Sequence, residues 1–191
     1  MRSFLRKPAT KRAPLPITMS GVRMGERLLQ IGVNDSRLAG VLVAKVGLSG
    51  HAAIAVADER AASRARDAAE EAGALADIRV TPLHTLPFDT SGFDVIVINS
   101  ADGLLAAVDA DTRSRLLSEC HRVLRQGGRV VAIEAELRSG LAALLRARRP
   151  DDSAYVAAGG TPGAMEAAGF KPVRLLAERE GYRFTEGLKS L

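Results

Sequence analysis

From Arg27 onward, short apolar runs alternate with amphipathic stretches, and few folds can satisfy that alternation. Arg27–Gly32, Ala52–Ala57, Asp77–Thr81, Phe93–Asn99 and Arg129–Ala135 read as strands. Between the first two, Asp35–Val46 carries Leu38, Val41, Leu42 and Lys45 along one face and stops at Gly47, which is helical spacing with a glycine stop. Glu59–Ala72, ended by Gly73, and Asp111–Arg125 read as further helices. Strands separated by helices imply βαβ units and a largely parallel sheet covered on both sides. The continuous apolar run of the fourth strand, Phe93-Asp94-Val95-Ile96-Val97-Ile98-Asn99, implies burial on both faces.

The last part of the chain breaks the pattern. A helix near Gly140–Ala147 and a polar loop from Arg149 to Gly160 lead to a helix over Thr161–Ala168, with Thr161 as its N-cap and Pro162 in the first position. Two β segments follow, Pro172–Glu178 and Tyr182–Glu186, joined through Gly181. So tight a join makes them antiparallel, because a parallel crossover needs about a dozen residues. The expected fold is α/β: a doubly wound, Rossmann-like, mostly parallel sheet of seven strands with an antiparallel C-terminal hairpin.

Charge and composition narrow the function. The net charge is +5, but Arg2, Arg6, Lys7, Lys11 and Arg12 supply five of the 27 basic residues, leaving 22 against 22 acids for the rest. A phosphate-gripping domain shows its basic face on the folded body, so nucleic acid is not the expected partner. Residues 1–18, with Pro8, Pro14 and Pro16, read as a basic flexible tail, and residues 19–191 as a single domain. The tail reads as a solvated leader or an over-long start before Met19 or Met24, with an Arg-rich transit peptide as the alternative. No run approaches the about 20 apolar residues of a membrane span. The single Cys120 fits a reducing, cytoplasmic setting, and one Cys with three scattered His offers no zinc-spaced pair. Self-association through the terminal strands is a further expectation.

Three stretches carry a family resemblance. They are Leu86-Pro87-Phe88 leading to Phe93-Asp94-Val95-Ile96, the passage from Glu119 through Arg122-Val123-Leu124-Arg125-Gln126-Gly127-Gly128 to Val130, and Ala168-Gly169-Phe170. Together they resemble the class I S-adenosyl-L-methionine (SAM) dependent methyltransferases, in particular the methyltransferase-11 group with the ubiquinone and menaquinone biosynthesis enzymes. The resemblance spans about Gly25 to Leu188 and implies SAM as cofactor and a small-molecule acceptor. Asp94 reads equally well as a structural residue, and His121 and Cys120 as a solvent-facing histidine and a buried filler.

The resemblance also places a cofactor site at the turn after the first strand. Gly32 matches the first glycine of the family's D-x-G-x-G-x-G, while Asn34 and Ser36 stand at the other two and Gln30 at the acid. Asn tolerates positive φ, so the turn is expected to survive, with Asp35 or Ser36 capping the helix. Asp58, with Glu59 beside it, is the implied ribose ligand, although acids there equally start a helix. Pro82 occupies the position of an adenine-side Asp, leaving Leu83 or His84 to flank the base. Asn99, ahead of Ser100, Ala101 and Asp102, would face the transferred methyl group, and Glu134, Glu136 and Tyr155 belong to the acceptor side.

The departures at Gln30, Asn34, Ser36 and Pro82 leave a second reading open, a catalytically degenerate binding or partner module. A nicotinamide dehydrogenase lacks its glycine fingerprint in Gly32-x-Asn34-x-x-Arg37. Nucleic-acid binding would have to reside in the tail alone.

Overall fold

The computed structural model describes residues 14–135 and 150–191. The helix expected near Gly140–Ala147, Glu136 and the first thirteen residues lie outside the described residues. Seven strands form one sheet: β1 (Arg27–Ile31), β2 (His51–Val56), β3 (Asp77–Val80), β4 (Phe93–Ser100), β5 (Leu124–Ala135), β6 (Val173–Arg179) and β7 (Tyr182–Leu188). Their order is β3-β2-β1-β4-β5-β7-β6. The strands β1 to β5 are parallel, and β7 pairs antiparallel with both β5 and β6. This is the expected fold.

Each face of the sheet has its own core. One contains Leu28, Val95, Val97 and Val131 under α1 (Leu15–Met19), α2 (Ser36–Val46) and α3 (Glu59–Glu71). The other contains Leu29, Ile31, Ile96 and Ile98 under α4 (Leu104–Ala107), α5 (Ala110–Val123), α6 (Pro150–Ala157) and α7 (Gly160–Ala167). Neighbouring residues of β1 and β4 therefore alternate between two cores, which is why their sequences are apolar throughout. Among the described residues no helix is long and apolar enough to cross a membrane.

Several boundaries differ from the sequence reading. The tail was expected to reach residue 18, but Leu15–Met19 is a helix with Leu15 and Pro16 buried. Ile17 and Met19 pack on the α2 side, and Lys45 Nζ donates to the Ile17 carbonyl at 3.2 Å. Arg129 ties the following turn down by donating to the Gly21 carbonyl and pairing with Glu26 at 2.9 Å. The polar loop expected after Arg149 contains α6, which opens at Pro150 and whose Tyr155 is buried. The strand β5 starts at Leu124, which pairs with Phe93, and Gly127 and Gly128 continue it by pairing with Lys189 through backbone bonds of 2.8 and 3.0 Å. His121 does not face solvent freely. It is half-buried, 5.1 Å edge-on from Phe170, and burial together with Lys189 lowers its pKa. Cys120 is fully buried, and burial pushes its thiol pKa up.

The stretches that carry the family resemblance form a clamp. Glu119 accepts from the Leu86 amide at 2.8 Å and pairs with Arg122 at 2.7 Å. Arg122 donates to the Leu86 and Phe88 carbonyls, both at 2.9 Å. Asp94 accepts from the Arg27 amide at 2.7 Å and from Arg125 at 2.5 Å. Its role is structural: it joins the entrances of β1, β4 and β5.

Burial works against ionisation of Asp94, but the Arg27 amide and Arg125 outweigh it and hold its pKa below the usual value. A depressed folded-state pKa gives stability that is present at neutral pH and lost as pH falls through that pKa. Asp94→Asn is expected to lower the urea midpoint at pH 7 and to flatten its decline between about pH 5 and pH 2. Identical acid dependence in both proteins would remove Asp94 from this role.

Candidate functional site

The strand order reverses between β1 and β4. The chain leaves β1 into α2 on one face and leaves β4 into α4 and α5 on the other. No single helix covers both carboxyl ends, and such a switch point is where open parallel sheets usually form their ligand crevice. Gly32 lies at this point, with φ +80° and its amide donating to the Ala55 carbonyl at 3.0 Å. A Cβ at this position would stand 3.1 Å from both the Asn99 carbonyl oxygen and Leu104 Cδ1. Glycine is required here both for backbone angle and for room.

The rest of the turn departs from expectation at Asn34 and meets it at the helix cap. Asn34 is exposed and does not use positive φ. Among the described non-glycine residues only Ser91 and Glu180 do. The turn survives because Gly32 alone takes the left-handed angle. Ser36 is the first residue of α2, and the cap is Asp35, whose Oδ1 accepts from the Leu38 amide at 2.9 Å.

Behind the turn are two buried amides. Gln30 donates Nε2 to the Ala39 carbonyl at 2.9 Å, and its Oε1 has no partner. Asn99 is 1% exposed, and neither Oδ1 nor Nδ2 has a partner. Gln30 aligns with Val97, so Asn99, two residues on, shares its face of the sheet. Buried polar groups are almost always bonded, so unsatisfied capacity concentrated at the switch point is a ligand-site signal.

The other expected residues follow the carboxyl edge outward. Asp58 is exposed and caps α3, its Oδ1 accepting from the Ala61 amide at 2.8 Å. Glu59 is exposed and pairs with Arg66 at 3.4 Å. Next to them Thr81 donates its amide to the Val56 carbonyl at 2.9 Å. Pro82 is exposed, while Leu83 and His84 are half-buried. The structure thus aligns Leu83 and His84, Asp58 and Glu59, Gly32, and Asn99 along four adjacent strand ends, a span of about 14 Å at the normal strand spacing. It keeps Asn34, Asp58 and Glu59 on the outer rim.

A second polar group lies beyond β4. Glu134 aligns with Ser100 and is largely buried, and burial raises its carboxyl pKa, with Thr161 and Arg183 opposing. Thr161 is not the expected cap, because Gly159 precedes α7 in the left-handed conformation. The Thr161 hydroxyl instead donates to Glu134 Oε1 at 2.6 Å and lies 2.5 Å from the Tyr155 hydroxyl. Burial pushes Tyr155 up to about 12. Arg113 stacks 4.0 Å over the Tyr155 ring and donates to the Leu105 and Val108 carbonyls. Thr161 and Arg113 were not found by sequence reasoning. Nothing along α5 separates Arg113 from its exposed neighbour Arg115, whereas Glu134 beyond the apolar run of β5 was a usable signal.

Comparison with known proteins bears on this arrangement. Residues 29–132, more than half of the chain, match the family model described as a methyltransferase domain. The chain is 33% identical over 120 residues to a ubiquinone/menaquinone biosynthesis C-methyltransferase of Idiomarina loihiensis, covering 62% of this chain and 46% of that protein. It is 31% identical over 118 residues to the protein of the same description from Nitrosospira multiformis, with the same coverage. The chain thus spans about half the length of these relatives. A SAM dependent methyltransferase from Aquifex aeolicus superposes with a TM-score of 0.68 at 15% identity, covering 91% of this chain and 87% of the other. A putative methyltransferase solved with the Haloferax volcanii Trm112 activator gives 0.65 at 14% identity, covering 92% and 88%.

The capping geometry gives Asp58 a role that can be measured without any ligand. Asp58→Ala should cost about 0.5–2 kcal/mol of unfolding free energy, and Asp58→Asn, which can still cap, much less. Equal losses in chemical denaturation would show that the cap contributes nothing.

Proposed function

We infer that this chain, which belongs to the methyltransferase domain family of class I SAM-dependent methyltransferases, transfers a methyl group from SAM to a small-molecule acceptor. The observation that carries the reading is the pair of buried, unsatisfied amides beside Gly32 at the β1–β4 switch point. A ligand with both donors and acceptors would satisfy them. Gly32 lets the turn pack against the Asn99 backbone and Leu104, and Asn99 beside it offers an unpartnered donor and acceptor. Asp58 caps through Oδ1, so Oδ2 is the atom for ribose hydroxyls. Leu83 and His84 supply the flat contact for the adenine.

When bound, SAM supplies an already activated sulfonium methyl group. The chain's task is then positioning: holding two reactants in line replaces a bimolecular encounter and supplies much of the acceleration. No dedicated base is required of the chain. The acceptor side is the β4–β5 end, where Ser100 and Glu134 align under α6 and where Tyr155, Thr161 and Glu134 lock the surrounding elements together. In this reading residues 14–191 act as one domain, the basic segment before them is a tail, and the buried Cys120 thiol fits the reducing cytoplasm.

Calorimetric titration with SAM and S-adenosylhomocysteine tests the reading. Both are expected to bind, and Gly32→Val and Asn99→Ala should each weaken binding by about tenfold to a hundredfold, the range for losing a buried hydrogen bond or obstructing the pocket. Absence of binding at millimolar ligand would overturn the reading in favour of a degenerate partner module.

A further inference from the structure

The carboxyl edge of the sheet carries several acids, yet the buried side chains on the face of Gln30 and Asn99 are neutral there. In the connections after β1, β2 and β4, each aspartate is engaged at a helix start. Asp35 accepts from the Leu38 amide, Asp58 from Ala61, Asp102 from Leu104 and Asp109 from Thr112, at 2.9, 2.8, 3.2 and 2.9 Å. Glu59 pairs with Arg66. Asp89, in the connection after β3, is exposed. Gln30, Thr81, Asn99 and Ser100, buried along the edge, are uncharged, and the Glu134 carboxyl beside Ser100 lies on the sheet face opposite Gln30 and Asn99.

We propose that the inner end of the crevice is a charge-neutral subsite, so that this chain takes adenosine thioethers largely through their nucleoside end. The proposal rests on the SAM reading above. The two ends of the crevice differ in what they can hold. Half-buried Leu83 and His84 suit a flat base, whereas the unpartnered atoms of Gln30 and Asn99 call for a polar arm. Gln30 is fixed as an acceptor there because its Nε2 is already committed to the Ala39 carbonyl. An ammonium group at this end gains a hydrogen bond to Oε1 but no counter-charge from the protein beyond the carboxylate of its own arm, and burying a charged group without a protein partner is costly. The amino-acid arm therefore adds little to affinity.

The test compares S-adenosylhomocysteine with 5′-methylthioadenosine, which lacks the amino-acid arm, by calorimetry on the full chain. Their dissociation constants are expected to lie within about tenfold, the scale of one ordinary hydrogen bond. Gln30→Glu should tighten S-adenosylhomocysteine by about tenfold and leave 5′-methylthioadenosine unchanged, since only the former carries an ammonium group to pair with the new carboxylate. A wild-type preference for S-adenosylhomocysteine of more than about a hundredfold would overturn the neutral subsite while leaving the SAM reading intact. Binding of neither ligand would overturn both. The wild-type ratio decides the matter even if Gln30→Glu does not fold.

Discussion

The site depends on one topological constraint: β1 and β4 are hydrogen-bonded neighbours whose following helices depart to opposite faces. Had α2 and α5 left on the same side, helix packing would close over the strand ends. Because they do not, the backbone of the first turn meets the backbone of the strand beside it, and Gly32 sits where a Cβ would press on the Asn99 carbonyl. Glycine at this position is a consequence of the crevice. Asn34 and Ser36 do not take positive φ, which explains how the turn keeps its shape without two further glycines.

The residues most characteristic of the family serve mainly to aim this crevice. Glu119 and Arg122 hold the loop from Leu86 to Thr90 against α5, and Asp94 joins the entrances of β1, β4 and β5. These are largely ion-pair contacts with backbone groups as additional partners, so each carboxylate and guanidinium satisfies several orphan groups at once. Fixing the entry points of three parallel strands fixes their register, and register determines which residues reach the carboxyl edge. A strong match in this region therefore speaks for the scaffold. It says little about what binds 20 or so Å away at the other end of strands of this length.

Legibility in the sequence followed the same division. The strands β1, β2 and β4 were readable because two-sided burial demands unbroken apolar runs, and α2 because one-sided burial demands helical spacing. The short α1 was masked by its prolines and by the basic residues before it, although Leu15, Ile17 and Met19 already held its apolar contacts. Asp151 and Asp152 read as loop residues, yet acids are also what a helix favours in its first turn, so composition alone did not separate α6 from a loop. Thr161 looked like a cap because Pro162 followed it. Its hydroxyl is instead drawn to Glu134, a contact between residues 27 positions apart that no local pattern encodes. In the site, Gly32 was legible from its turn, but the unsatisfied state of Gln30 and Asn99 depends on which neighbours the fold supplies.

The use of carboxylates ties the helix starts to the same edge of the sheet as the candidate site. A helix that starts at the carboxyl end of a strand presents unpaired amides to the same edge that binds ligand. Caps and ligand contacts therefore compete for the same short stretch of chain. Here Asp35, Asp58, Asp102 and Asp109 all resolve that competition toward the helices. Their charges lie at the rim, while uncharged amides line the buried end. Stability is thereby drawn from the loops and recognition from the strand ends. In the proposed reading a substitution at Gln30 or Asn99 acts on binding with little effect on how the helices begin, whereas a substitution at the capping aspartates acts on the scaffold first.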